Sequence, residues 1–135
     1  MSKSKEWRRV VEFEIPYEDF CHGKMKAYCS RYGMNAYWAG KHWSKRKEDA
    51  DLVHAITKSA LNRAAVPYKP FDKPVSISFW HNDRMDIDNH AAVEKMITDA
   101  LKDRVLHHDG RRWVKEKHVY YHDRDCIRVR LEELP

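Results

Sequence analysis

Cysteine and long apolar runs are both scarce in this sequence. Its three cysteines, Cys21, Cys29 and Cys126, are an odd number without a C-x-x-C pair, which argues against a disulfide framework and against a zinc ribbon. No apolar run approaches the roughly 18 residues of a membrane-spanning helix, and the first residues, MSKSKEWRR, contain no apolar secretion segment. We therefore expect a soluble, cytoplasmic protein that does not enter a membrane.

Glycine is also rare, with four in the chain, and the sequence has no Gly-rich phosphate loop and no βαβ series. This absence argues against a nucleotide-sugar transferase, a class that a D-x-D motif would otherwise suggest. The nine histidines form no H-E-x-x-H or similar pair. Their spacing therefore favours solvated or core histidines over a metal site.

Charge, by contrast, is abundant. The 135 residues include 26 Lys and Arg against 21 Asp and Glu, which gives a formal net charge of +5. The length predicts one domain over residues 1–135, large enough to bury a core without disulfides. The positive excess is compatible with an anionic partner such as nucleic acid, although moderately basic small proteins are common.

Hydrophobic periodicity predicts an α+β fold, with a small mixed sheet of about four strands and two main helices. The first strand begins at Val10 and ends at Pro16, and the stretch from Tyr17 to Gly33 is either a short helix or an ordered loop. A helix of about four turns follows behind a predicted cap at Ser44. Its apolar residues are Leu52, Val53, Ile56, Ala60 and Leu61.

The second half of the chain is predicted to contain a central strand, a helix and a hairpin. Val75, Ile77 and Phe79 alternate with polar residues, which is typical of a half-buried strand. Two final strands, Trp113–His122 and Cys126–Leu131, are joined by HDRD and predict an antiparallel hairpin. The intervening helix has the apolar face Val93, Met96, Ile97, Ala100, Leu101 and Val105.

The segment GMNAYWAGKHWSKRK, which begins at Gly33, interleaves aromatic and basic groups. Such a mixture suits a phosphate backbone together with base stacking. In the alternative interpretation, Tyr37, Trp38 and Trp43 are core residues and the lysines solvate a loop. This segment by itself favours neither.

Asp86 and Asp88 are the first candidate metal ligands. Carboxylates at positions i and i+2 point the same way in an extended segment, so both can meet one hard cation, Mg²⁺ or alternatively Mn²⁺. Asp88 and Asn89 are also good helix caps, so a capped helix with a polar entry loop is the structural alternative.

Lys95 and Asp109 extend this candidate site. Lys95 is seven residues after Asp88, which is close to two helical turns, so it can project back toward a metal-bound phosphate. Asp109 precedes Gly110 in a turn that could return the carboxylate to the helix. We therefore expect Asp86, Asp88 and Asp109 to bind the metal and Lys95 to assist catalysis, with an ordinary turn as the alternative role of Asp109.

The segment DIDNHAAVEKMITDALKDRVLHHDGRRWV, from Asp86 to Val114, resembles the RusA family of Holliday junction resolvases, which are common in phages and prophages. The shared features are D-x-D-N, a lysine near the start of a helix, a D-A-L ending and an acidic turn. MNAYWAGKHWSKRK is similar to the family's early segment. The matching residues are Asp86, Asp88, Asn89, Lys95, Asp99-Ala100-Leu101 and Leu106 to Asp109, with His90 to Ala92 as additional residues before Lys95.

This resemblance implies a magnesium-dependent endonuclease that cuts branched DNA, such as a four-way junction, in recombination and repair. It also implies a homodimer with two active sites. The alternative is a non-catalytic phage DNA-binding protein that keeps the fold. The expected DNA contacts are Asn35, Lys41, Trp43, Lys45, Arg46, Arg84, Asn89, Arg111, Arg112, Lys115 and Lys117.

Overall fold

The computed structural model describes residues 7–35 and 40–135 of the chain. The sheet and the helices confirm the predicted α+β class, with one short helix more than the two main helices expected. No helix in these ranges combines the length and the apolar character that a membrane span needs. The strands are β1 (Val10–Pro16), β2 (Val75–His81), β3 (Val114–Tyr121) and β4 (Cys126–Glu133), and the helices are α1 (Met25–Tyr32), α2 (Trp43–Arg63) and α3 (Ala91–Ala100).

The strands form one mixed sheet in the order β1-β4-β2-β3. Strand β4 runs antiparallel to β1 and β2, whereas β3 pairs parallel with β2. Phe79 of β2 therefore has Val129 of β4 on one side and Val119 of β3 on the other. The predicted hairpin of β3 and β4 is wrong, because β2 lies between them.

The burial of the last two strands explains this order. Strand β4 buries Ile127, Val129 and Leu131 completely, whereas β3 is exposed along most of its length. A central position for β4 removes more apolar surface from water than an edge position would. The connection from β3 to β4 crosses the end of β2, where the N–H of His122 donates to the carbonyl of His81 over 3.0 Å.

Helix α2 begins earlier than predicted. Its N-cap is His42, whose Nδ1 accepts a hydrogen bond from the Ser44 N–H over 3.1 Å, so the predicted cap at Ser44 is wrong. An imidazole nitrogen satisfies the free N–H groups of the first turn as a hydroxyl would. The polar first turns are stabilised by pairs such as Lys47–Asp51, at 3.0 Å. The helix consequently has 21 residues, or about six turns.

The stretch between β1 and residue 34, left open by the sequence, contains two 3₁₀ turns (Tyr17–Asp19 and Cys21–Gly23) and α1. Its aromatic residues pack into the hydrophobic core, which covers one face of the sheet beneath the helices. Helix α3 ends at Ala100, and Val105 is buried beyond its end. The opposite face of the sheet carries ion pairs such as Arg128–Glu12.

Two tyrosines in this core differ in their hydrogen bonding. The rings of Tyr17 and Tyr28 meet edge to face, 5.2 Å apart, and both side chains are almost fully buried. The Tyr17 hydroxyl accepts a hydrogen bond from the Asn82 N–H over 2.7 Å. The Tyr28 hydroxyl has no hydrogen-bond partner among the residues that the structure describes.

We expect Tyr28→Phe to leave the free energy of unfolding unchanged or to raise it by about 1 kcal/mol, because it removes an unsatisfied buried hydroxyl. Tyr17→Phe, the matched control, should lower it by about 1 kcal/mol or more, because it leaves the Asn82 N–H without an acceptor. Urea denaturation of the three proteins measures both changes. Equal losses in the two variants would contradict this assignment.

Candidate functional site

The acidic candidates lie in the loop that connects β2 to α3. The strand ends at His81, and the Asp83 carboxylate then accepts a hydrogen bond from the Met85 N–H over 2.9 Å, which closes a local turn. A 3₁₀ turn, Ile87–His90, follows and leads directly into α3. Asp86 and Asp88 are therefore presented by a short, turn-rich segment between two buried elements.

Neither Asp86 nor Asp88 acts as a helix cap. Asp86 precedes the 3₁₀ turn with extended backbone angles and makes no side-chain capping bond. Asp88 and Asn89 lie inside the turn, and the residue that precedes α3, His90, makes no side-chain capping bond either. The capped-helix alternative for this motif is therefore wrong.

Asp86 and Asp88 instead line one open, polar pocket of about 290 Å³. Neither carboxylate makes a hydrogen bond or an ion pair with any residue in the described ranges. Their oxygens are therefore available to a hard cation such as Mg²⁺. The other residues of the pocket are Met34, Asn35 and Asn89.

The segment after α1 forms the other wall of this pocket. The side-chain oxygen of Asn89 accepts a hydrogen bond from the Asn35 N–H over 3.1 Å, which joins that segment to the acidic loop. Gly33 allows the close approach, because a Cβ there would lie 2.9 Å from the sulfur of Met85 and 3.1 Å from the Asn89 amide nitrogen. Carboxylate and amide oxygens are ligands that suit Mg²⁺, so the residues present fit that ion.

Lys95 and Asp109 lie close together, but their neighbours are Asp99 and Lys102. The Lys95 ammonium lies 3.4 Å from Asp99 and 3.5 Å from Asp109, and Lys102 lies 3.7 Å from both carboxylates. The neighbouring Asp99 carboxylate is the main cause that raises the pKa of Lys95. The pKa of Asp109 is lowered, mainly by a hydrogen bond with Asp99 and also by the nearby ammonium groups of Lys102 and Lys95.

The predicted convergence of three acids is therefore not formed. In the part of the chain that the structure describes, Asp86, Asp88 and Asp109 do not bring carboxylate oxygens within 4.8 Å of one another. The reason is local, because Asp88 lies in a 3₁₀ turn and not in α3. Its spacing from Lys95 is consequently not two α-helical turns, and the lysine points toward the C-terminal end of α3.

A second pocket, of about 420 Å³, adjoins the acidic one through Met34, which lines both. Its floor is apolar, and Arg46 of α2 and Lys95 of α3 supply positive charge at its walls. The acid pair thus borders a groove between α2 and α3 with cationic side chains. The remaining lining residues are Ala50, Ala91, Ala92, Met96 and Asp99.

Beneath the acidic loop lies a buried polar network that sequence analysis missed. The rings of His81 and His90 stack with their centroids 3.8 Å apart, and both side chains are fully buried. Nε2 of His81 lies 2.7 Å from Glu94, and Glu94 lies 2.5 Å from the Lys117 ammonium. Nε2 of His90 lies 2.8 Å from the Asp83 carboxylate.

Burial and hydrogen bonding set the protonation of these groups. Burial lowers the pKa of His81 despite the hydrogen bond to Glu94. Burial also acts to lower the pKa of His90, but the hydrogen bonds to Asp83 and to the Ile87 carbonyl outweigh it and raise the pKa. Burial acts to raise the pKa of Glu94, yet the bonds from His81 and Lys117 dominate and lower it.

The spacing H-x-D-x₆-H around the D-x-D-N motif was the available signal for this network. It was missed because the alternation of β2, which turns every second side chain inward, was not extended to His81. The structure shows a buried strand end there. His81 and His90 lie in the core, which is one of the two positions that the sequence predicted for the histidines. The accompanying expectation that the histidines form no metal site stays a prediction.

Two of the expected DNA contacts form ion pairs with buried carboxylates. Lys41 has a side chain only 14% exposed, and its ammonium lies 2.6 Å from the Asp49 carboxylate. Lys117 is bound to Glu94, as described above, although it remains partly exposed. A phosphate would have to compete with these carboxylates for either lysine.

Most of the other expected contacts are on the surface. Trp43 is 69% exposed at the start of α2, so the core alternative is wrong for this residue. Tyr37 and Trp38 lie outside the described residues. The exposed candidates are Asn35, Trp43, Lys45, Arg46, Arg84, Arg111, Arg112 and Lys115.

Comparison with known proteins assigns no family to the chain. No protein-family model matches its sequence, and no curated protein matches it either. The likeness to RusA resolvases consequently rests on the residues of the motif.

Proposed function

We propose that this chain is a magnesium-dependent endonuclease that cuts branched DNA by phosphodiester hydrolysis, as its resemblance to RusA resolvases implies. The observation that carries the proposal is the acidic pocket. Asp86 and Asp88 are exposed there, make no contact to a cation within the described chain, and serve no capping role. Two exposed carboxylates that no described cation neutralises are available to bind a hard divalent ion such as Mg²⁺.

The residues around the pocket suit a phosphodiester substrate. Mg²⁺ held by Asp86 and Asp88 would neutralise the scissile phosphate and activate water. The chain itself positions the DNA backbone, with Arg46 and Lys95 along the adjoining groove. Asp109, whose carboxylate lies beside Lys95, holds that ammonium near the groove, which would stabilise charge that develops on the phosphate.

The non-catalytic alternative has one observation in its favour. Asp109, the expected third ligand, is neutralised by Lys95 and Lys102, so the acidic pocket contains two carboxylates. Two carboxylates and surrounding waters can hold Mg²⁺, which commonly binds through one or two acids. A DNA-binding protein that has lost cleavage would also retain them.

The test is cleavage of a labelled four-way junction and of a matched linear duplex, with Mg²⁺ and with EDTA. We expect paired nicks in the junction that require Mg²⁺, and little cutting of the duplex. Paired nicks need two active sites, so light scattering of the same sample should give the mass of a homodimer. Tight junction binding without any cutting would support the non-catalytic alternative.

A further inference from the structure

A second group of possible metal ligands lies beneath the acidic pocket, and it consists of different residues. We propose that His81, Asp83 and His90 bind a structural Zn²⁺ ion. One ligand atom from each of the three side chains lies within 4.8 Å of the other two. The His81 and His90 side chains are fully buried, as is the Asp83 carboxylate. This inference does not depend on the proposed nuclease activity.

Each of the three side chains is oriented by a further hydrogen bond. His81 is bonded through Nε2 to Glu94, His90 through Nδ1 to the Ile87 carbonyl, and Asp83 to the Met85 N–H. This is the usual surrounding of a metal site, in which one imidazole nitrogen binds an outer acceptor and the other faces the ion. The other nitrogens are Nδ1 of His81, which has no partner among the described residues, and Nε2 of His90, whose hydrogen bond to Asp83 a bound ion would replace.

Nδ1 of His81 is the clearest sign of a missing partner. It is buried, and it has no hydrogen-bond partner among the residues that the structure describes. A buried polar atom without a partner costs free energy, and such atoms are rare in native proteins. A cation bound to its lone pair would remove that cost, whereas a hydrogen bond from His90 is excluded because the two rings are stacked nearly parallel.

The donor set favours zinc over magnesium. Two imidazole nitrogens and one carboxylate in a closed site suit Zn²⁺, whereas Mg²⁺ prefers oxygen ligands and retains water. Ligand atoms around a tetrahedral zinc ion lie about 3.3 Å apart. Nε2 of His90 and the Asp83 carboxylate already lie 2.8 Å apart. The His81 and His90 rings are stacked 13° from parallel, so one imidazole must turn before both nitrogens point at the same ion.

The position of this site gives it a structural consequence. Asp83 and His90 stand at the two ends of the segment that carries Asp86 and Asp88, and His81 ends β2. Zinc bound to all three would fix both ends of the acidic segment to the sheet. The chain would then use one metal to hold the loop and expose the loop carboxylates to another.

The test is metal binding by the full chain, purified without chelators and then titrated with Zn²⁺ or Co²⁺ alone. We expect one zinc per chain and visible Co²⁺ absorption typical of four-coordinate sites. His81→Gln should abolish both, and Glu94→Gln should weaken zinc affinity about 10–100-fold. His118→Gln, on the exposed face of β3, is the matched control and should change neither.

Two results would overturn the proposal. One is a wild-type chain that stays folded but binds no stoichiometric zinc and gives no Co²⁺ spectrum, which would make the group a metal-free hydrogen-bond network. The other is equal loss of binding in His118→Gln and His81→Gln. The double variant Asp86→Asn/Asp88→Asn should keep its zinc, which separates this site from the acidic pocket even if no DNA is cut.

Discussion

Replacing Asp88 by asparagine should lower the rate of junction cleavage by at least about 10²–10³-fold, while junction affinity changes little. The amide has nearly the shape of the carboxylate but lacks the charge that attracts Mg²⁺. Because the Asp88 side chain is exposed and makes no hydrogen bond or ion pair with another described residue, the substitution should change the stability of the fold little. Single-turnover cleavage and binding of the same labelled junction, measured side by side, give both quantities.

Asp109→Asn is the informative comparison for this experiment. If Asp109 binds the metal, as the sequence predicts, Asp109→Asn should lower the cleavage rate as much as Asp88→Asn does. If it only orients Lys95, as the 3.5 Å contact indicates, cleavage should fall to the same extent as in Lys95→Ala and remain Mg²⁺-dependent. Unchanged cleavage in Asp88→Asn would rule out the acidic pocket as the active site.

Removal of the Asp49 carboxylate should destabilise the protein by about 3–5 kcal/mol. Asp49 is fully buried in α2, and its two oxygens bind Arg31 at 2.7 Å and Lys41 at 2.6 Å. The Lys41 ammonium also donates to the Arg31 carbonyl over 2.6 Å. Asp49→Ala therefore removes the buried carboxylate that binds both cations, and thermal or urea unfolding measures the loss.

Asp51→Ala, two residues further along α2, is the matched control. Asp51 pairs with Lys47 at the surface, where both side chains are about two-thirds exposed at 65% and 68%. Such pairs contribute little, so stability should change by no more than about 0.5 kcal/mol. Both variants gain the same helix propensity from alanine. A similar small change in Asp49→Ala would show that Arg31 and Lys41 find water or other partners.

The elements that carry the acid pair were predictable from the sequence. The alternation in Val75–Phe79 predicts a strand, and the apolar spacing from Val93 to Ala100 predicts a helix. In each case only that secondary structure puts the apolar side chains on one buried face. The D-x-D-N motif could therefore be located at their junction. The connection of β3 and β4 was not predictable, because loop length favours a hairpin while burial of the whole sheet favours a central β4.

The geometry inside the site needed the structure. A spacing of seven residues implies a common helix face only if all seven residues are helical, and one 3₁₀ turn between Asp88 and α3 is enough to alter it. The pairing of Lys41 with Asp49 could not be predicted from the sequence either, because Asp49 lies in the polar first turns of a helix, where a surface position is expected. Burial of a charge depends on packing of distant segments, which no local pattern encodes.

The central position of β4 also has a consequence for how the chain folds. Val10 of β1 pairs with Glu132 of β4, so the two strands that complete one half of the sheet lie at opposite ends of the described chain. Long-range pairings of this kind raise contact order and slow folding. During synthesis, β1 and β2 each keep an unpaired edge until β4 has left the ribosome and can pair with both strands. Nascent chains are therefore expected to aggregate, and to need chaperones, mainly before β4 has been synthesised.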